Sequence, residues 1–129
     1  MSTKKILLVD DDSDVRTVVR DALEGSGYQI WEASDSSEAL NIWKTNASQI
    51  DLLLADMAMP GSLNGRQLAD RLRRERPGLK VIFSSGRFLN ILDMAGIIQF
   101  HGCFLQKPFS PENLAEIVRS RLDPASPAD

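Results

Sequence analysis

A doubly wound α/β fold built on five parallel strands is what this sequence predicts, and three observations predict it. Short apolar runs recur along the chain, and each ends in polar or charged residues: Leu7-Leu8-Val9 before Asp10-Asp11-Asp12, Leu52-Leu53-Leu54-Ala55 before Asp56, and Cys103-Phe104-Leu105 before Gln106-Lys107-Pro108. Apolar runs of this length backed by turn residues read as strands buried on both faces. Segments with helical spacing alternate with them up to Leu122, and βα alternation places helices on both sides of a parallel sheet. Right-handed crossovers leave few topologies, and the flavodoxin-like (βα)5 arrangement with strand order 2-1-3-4-5 is the expected one.

The elements follow in order. After Asp12, Val15, Val18, Val19, Ala22 and Leu23 recur at helical spacing until Gly25 and Gly27 stop the pattern, which makes the first helix. Residues 28–33 carry the β-branched and aromatic content of a second strand. Asp35 with Glu38 three residues on predicts a capping box ahead of Ala39, Leu40, Ile42 and Trp43. Residues 50–56 form the third strand. Pro60-Gly61-Ser62-Leu63-Asn64-Gly65 is punctuated as a loop, and the helix behind it carries Leu68, Ala69 and Leu72 before Pro77-Gly78 ends it. Residues 79–85 are a fourth strand centred on Val81-Ile82-Phe83, closing in Ser84-Ser85-Gly86. Residues 88–100 read as a fourth helix with an excess of apolar side chains, and residues 102–107 as strand five. Ser110-Pro111 supplies an N-cap and a proline at the first helical position of a last helix with Leu114, Ile117, Val118 and Leu122 inside. One domain over 1–122 and a disordered tail or linker over 123–129 are expected.

Bulk properties narrow the function classes. At 129 residues one core is expected, and 43% hydrophobic with 26% charged residues is a globular composition without the ~20-residue apolar stretch of a membrane span. No secretory leader pattern precedes the first strand, so a cytoplasmic location is expected. Net charge of −3 argues against a nucleic-acid surface over the domain. Arg71, Arg73, Arg74 and Arg76 are interspersed with Asp70 and Glu75 and read as a solvated helix face. Cys103 has no partner for a disulfide or zinc site, and His101, the single histidine, reads as structural or solvated.

The charged strand ends carry the chemistry, because ligands bind at the carboxyl edge of an open α/β sheet. Two or three carboxylates sharing one rim repel by about 4 kcal/mol per pair at 4 Å and an effective dielectric near 20. A divalent cation relieves that repulsion, and oxygen ligands with water favour Mg²⁺. A carboxylate beside such an ion can attack a phosphoryl group while a lysine neutralises charge on the transferring oxygens. Asp56 stands alone at the end of the central strand and is the natural nucleophile. Lys107 supplies the point charge, and Ser85 on the neighbouring strand a hydrogen-bonding hydroxyl.

These residues resemble the receiver domains of two-component response regulators, over essentially the whole stretch from Ile6 to Leu122. The resemblance rests on Val9-Asp10-Asp11 after strand one, Asp56 with Met59-Pro60 after strand three, Ser85-Gly86 after strand four and Lys107-Pro108-Phe109 after strand five. It implies that Asp56 is the phosphoacceptor, that Asp10, Asp11 and Asp56 bind Mg²⁺ with the backbone carbonyl of Ala58, and that Ser85 and Lys107 contact the phosphoryl group. It further implies a cis Lys107-Pro108 peptide and a switch position at Phe104, moving with Ser85. The expected donor is a sensor histidine kinase or phosphotransfer protein. The expected output face is helix four, strand five and helix five, since it adjoins Ser85, Phe104 and Lys107, and a homodimer through that face is a hypothesis. Gly65-Arg66-Gln67-Leu68-Ala69 and the segment from Phe104 to Phe109 resemble receivers of hybrid sensor kinases, so a stand-alone receiver and a piece of a longer protein both stay open.

Three aspartates stand where the site requires two. Asp10-Asp11 is the preferred pair, since Asp10 directly follows the apolar run, with Asp11-Asp12 as the alternative. The loop after Asp56 reads one residue longer than the family form. Ala58 lacks a polar side chain to hold attacking water and Arg87 stands two past Ser85, so slow self-dephosphorylation is expected. Such a domain accepts and loses its own phosphoryl group and is not a turnover enzyme. The alternative function is a small Mg²⁺-dependent phosphatase of the haloacid dehalogenase type, which would place its nucleophile after strand one and usually carry a cap domain. A nucleotide- or flavin-binding module would want a phosphate loop where the acidic run stands.

Overall fold

Uninterrupted apolar runs, Ile6-Leu7-Leu8-Val9 and Leu52-Leu53-Leu54-Ala55, make up most of the first and third strands, and both strands lie inside the sheet with each face covered. The structure, a computed structural model, describes residues 3–59, 61–86 and 103–122. Its strands are β1 (Lys5–Val9), β2 (Gln29–Ala33), β3 (Leu52–Asp56), β4 (Lys80–Ser85) and β5 (Cys103–Gln106). They pair in parallel in the order β2-β1-β3-β4-β5. Helices α1 (Ser13–Gly25), α2 (Ser36–Asn46) and α3 (Gly65–Glu75) and a last helix (Pro111–Leu122) cover it, with a 3₁₀ turn at Ala47–Gln49. Pro60, Arg87, the predicted fourth helix, His101 and the tail over 123–129 lie outside the described residues.

Because strand side chains alternate between faces, the sheet divides the interior in two. Leu7, Val9, Leu53, Ala55, Val81 and Phe83 pack with Ala39 and Trp43 of α2 and Leu68 and Leu72 of α3. Ile6, Leu8, Leu52, Leu54, Ile82 and Leu105 pack with Val19 and Leu23 of α1 and Leu114 and Val118 of the last helix. No helix among the described residues is long and apolar enough to cross a membrane.

The structure corrects two local expectations, the capping box at Asp35 and the solvated Arg76. Val18 is 52% exposed, at the margin of the apolar stripe whose centre is Val19 and Leu23. Asp35 does cap α2, accepting from the Glu38 amide at 2.9 Å. Glu38 does not return the bond to Asp35: its Oε1 accepts from the amide and the hydroxyl of Ser34, both at 2.6 Å. Ser34 offers two donors where Asp35 offers one, and the Ser34 hydroxyl, then its amide, hold the Glu38 carboxyl below its usual pKa. The reciprocal capping box is on α3 instead, where Asn64 accepts from the Gln67 amide at 2.8 Å and Gln67 accepts from the Asn64 amide at 2.9 Å. Arg76 is not simply solvated. It donates to the backbone carbonyls of Ala47 and Ile50 and lies 5.7 Å from the ring centre of Trp43, whose indole N–H donates to Glu75 at 3.1 Å.

Candidate functional site

Each site residue sits at the carboxyl end of its strand. Asp10 follows β1, Asp56 is the last residue of β3, Ser85 the last of β4, and Lys107 follows β5. Parallel pairing of β1, β3, β4 and β5 brings these ends to one rim, as the sequence predicts. The Lys107 Nζ donates to Asp10 Oδ2 at 2.7 Å and to Asp56 Oδ2 at 3.2 Å, joining residues on three strands. Asp10 Oδ1 accepts from the Asp12 amide at 2.9 Å, and Asp56 Oδ1 from the Ala58 amide at 3.0 Å. Both carboxylates are enclosed, Asp10 at 2% and Asp56 at 7% exposure, while Asp11 is exposed.

Carboxylate oxygens of Asp10, Asp11 and Asp56 all lie within 4.8 Å of one another. Asp12 serves the helix behind them as the N-cap of α1, its Oδ1 accepting from the amides of Asp14 at 2.9 Å and Val15 at 3.3 Å. The grouping therefore matches the Asp10-Asp11 pair. Three carboxylates against one ammonium leave an excess of negative charge, and hard oxygen donors with an open side at Asp11 suit a hydrated Mg²⁺.

Burial raises the Asp56 carboxyl above its usual pKa; the Ala58 amide and Lys107 oppose that rise, and the Asp10 charge adds to it. Burial pulls the Lys107 ammonium down, but the hydrogen bond and charge of Asp10, followed by those of Asp56, outweigh it and leave its pKa raised. Burial thus works against charge on both groups, and the contacts between Lys107 and the two carboxylates work for it.

Ser85 is buried, and its carbonyl accepts from the Lys107 amide at 2.8 Å, so serine and lysine share one backbone link. The Lys107-Pro108 peptide is cis, as the resemblance implies. Phe104 pairs with Phe83 across β4 and β5 and is half-buried against the α2 and α3 side of the core. Arg87 lies outside the described residues.

Two contributors escaped the sequence reading. Gly65 opens α3 directly against the end of β3: a Cβ there would stand 2.2 Å from the Asp56 carbonyl oxygen and 2.8 Å from its carbon. The signal was a glycine just behind the N-cap Asn64, which reads equally as loop punctuation. Arg16 donates from Nη1 to the Asp10 carbonyl at 2.6 Å. Its only sequence trace is an arginine one turn after the cap.

Comparison with known proteins is consistent with this geometry. Residues 6–119 match the response regulator receiver domain family. The sequence is 34% identical over 118 residues to the sensor kinase CckA of Brucella abortus, covering 92% of this chain and 12% of that protein. It is 30% identical over 119 residues to the alkaline phosphatase synthesis transcriptional regulatory protein PhoP of Bacillus subtilis, covering 92% and 48%. The chain thus spans half or less of these relatives. Among solved structures it resembles a CheY-like response regulator receiver domain protein of Methanospirillum hungatei, with TM-score 0.86, 27% identity and coverage of 95% and 96%. It also resembles the receiver domain of the hybrid histidine kinase CckA, with TM-score 0.77, 36% identity and coverage of 92% and 98%.

Proposed function

We propose, from the premise that this chain belongs to the response regulator receiver domain family, that Asp56 accepts a phosphoryl group from the phosphohistidine of a sensor histidine kinase or phosphotransfer protein. The observation that carries the reading is the Lys107 ammonium within hydrogen-bond distance of both Asp10 and Asp56.

The chain's own residues account for most of the chemistry. Asp56 Oδ2 attacks phosphorus, the P–N bond breaks, and the leaving imidazole keeps the electron pair. Oδ1 stays oriented by the Ala58 amide, so one oxygen is held while the other reacts. Lys107 trades its contact with Asp56 for the incoming phosphoryl oxygens and stays tied to Asp10 as a point charge. Ser85 donates its hydroxyl to the same group. Asp10, Asp11, Asp56 and the Ala58 carbonyl would hold Mg²⁺, which supplies screening of the charge on the transferring oxygens.

The acyl phosphate then biases two arrangements of the surface near Ser85 and Phe104. The output face is strand five with the flanking helices, and a second copy docks there; light scattering showing a monomer with and without a phosphoryl mimic removes the dimer. The receiver unit is 1–122, with 123–129 a tail or linker, and it works in the cytoplasm. It acts as a signalling domain and does not turn over an external substrate.

The test is incubation with acetyl phosphate and Mg²⁺ followed by intact mass. Gain of one phosphoryl group by the wild type and none by Asp56→Ala is expected. Equal labelling of both proteins refutes Asp56 as acceptor, and sustained phosphomonoester turnover establishes the phosphatase alternative instead.

A further inference from the structure

Asp10 is held at four points. Its amide donates to Ala33 O at 3.1 Å, its Oδ1 accepts from Asp12, its Oδ2 from Lys107, and its carbonyl from Arg16 Nη1 at 2.6 Å. The last is the least expected. The Arg16 side chain folds back from the first turn of α1, while its own amide bonds Asp12 O at 3.0 Å. Its Nε meets Glu32 Oε1 at 3.3 Å, and Arg20 Nη1 holds the other Glu32 oxygen at 2.8 Å. Arg16 is thereby aimed by a glutamate on the edge strand β2, and its side chain is only 18% exposed.

A peptide unit is planar, so fixing the Asp10 carbonyl fixes the Asp10-Asp11 plane and restricts the direction in which Asp11 leaves it. Among the described residues, no hydrogen bond is made by the exposed Asp11 carboxylate itself. Its place beside Asp10 and Asp56 therefore depends on the backbone that presents it. The charge-assisted bond from a guanidinium oriented by Glu32 supplies that constraint.

We propose that Arg16, aimed by Glu32, is a positioning residue that sets the Asp10-Asp11 peptide and so assembles the divalent-cation site. The proposal rests on the reading of the acidic rim as a Mg²⁺ site, and the sign of its effect separates it from simple electrostatics. Removing a cation near a dication should tighten binding on charge grounds alone. Removing a support of the ligand scaffold should weaken it, and loss of such supports typically costs 10- to 100-fold in affinity.

The experiment titrates MgCl₂ into the metal-free wild type, Arg16→Met and Glu32→Ala by calorimetry, with ¹H–¹⁵N spectra of each before metal is added. Arg16→Met is expected to bind about tenfold more weakly. The amide resonances of Asp11 and Asp12 are expected to shift without metal, and Glu32→Ala to move both readouts the same way by less. Arg16→Met that is folded and binds Mg²⁺ as tightly as the wild type, or more tightly, overturns the proposal. Should Arg16→Met not fold, unchanged affinity and unchanged Asp11 resonance in Glu32→Ala overturn it. A wild type that binds no Mg²⁺ removes the metal reading and this inference together, whereas wild-type binding abolished by Asp56→Asn but untouched at Arg16 removes only the inference.

Discussion

Replacing Gly65 with alanine tests how tightly α3 is seated on the strand that carries Asp56. The added Cβ would stand 2.2 Å from the Asp56 carbonyl oxygen, 2.8 Å from its carbon and 3.0 Å from the Met57 Cα. Relaxed contacts need roughly 3.5 Å, so the helix end or the strand end must yield by about 1 Å. All three neighbours are backbone atoms, which no rotamer change can move aside. Overpacking of this kind costs about 1–3 kcal/mol, offset by the ~0.4–1 kcal/mol that alanine gains through a less flexible unfolded chain. A net loss of about 1–2 kcal/mol corresponds to a fall in Tm of roughly 5–10 °C for a domain of this size. The second consequence is chemical: a reacting group misplaced by 1 Å can lose on the order of 10²-fold in rate. Circular-dichroism melts and the rate of labelling by acetyl phosphate with Mg²⁺ measure both. Gly78→Ala is the control, since a Cβ at Gly78 meets nothing within 4 Å, and it should melt at or slightly above the wild type. Gly65→Ala that melts with the wild type and labels at the wild-type rate refutes the reasoning.

Three further outcomes are expected. Lys107→Met leaves Asp10 and Asp56 facing each other without their cation; breaking a buried pair costs about 3–5 kcal/mol, reduced to roughly 1–3 here because the lysine is 18% exposed. Its melts should fall in chelator and recover with Mg²⁺, and an unaltered melt in chelator contradicts the pairing. The raised Asp56 pKa means that the folded state holds this proton more tightly than the unfolded chain, so its stabilising contribution exists at acid pH and is lost as pH rises through the folded-state value. Asp56→Asn should therefore melt above the wild type in metal-free neutral buffer, with the gap closing on acidification; a gap that widens in acid reverses the sign. Ala58→Asn should shorten the acyl-phosphate lifetime by about five- to tenfold, the worth of one hydrogen bond of ~1 kcal/mol to the attacking water. An unchanged lifetime ends the expectation of slow self-dephosphorylation.

The strands were legible because burial on both faces leaves uninterrupted apolar runs, and the rim was legible because parallel order carries the run ends to one edge. Asp10, Asp56 and Lys107 meet for that reason alone. Asp12 was harder, since three identical side chains follow β1 and only the backbone turn decides which one caps α1. The same limit applied at Glu38, where Ser34 competed with Asp35 for one carboxylate. Long-range choices left no periodic trace. Arg76 reaching Ala47 and Ile50 and Gly65 meeting Asp56 depend on how elements cross after the sheet has formed, and Arg16 reaches the Asp10 carbonyl, six residues back, only as Glu32 of β2 directs it. Val18 stands at the margin of a stripe whose width spacing does not reveal.

The Arg76 guanidinium fastens the chain where it enters β3, while Asp56, the proposed acceptor, ends the same strand six residues beyond Ile50, roughly 20 Å away at about 3.3 Å per residue. The Trp43 indole and Glu75 complete that fastening on α2 and α3. Anchorage and chemistry are thus housed at opposite margins of one sheet. Damage at Arg76 should loosen the molecule without altering what the acceptor does in those copies that remain folded, and rearrangement around the acceptor can proceed with the far margin as its fixed hinge.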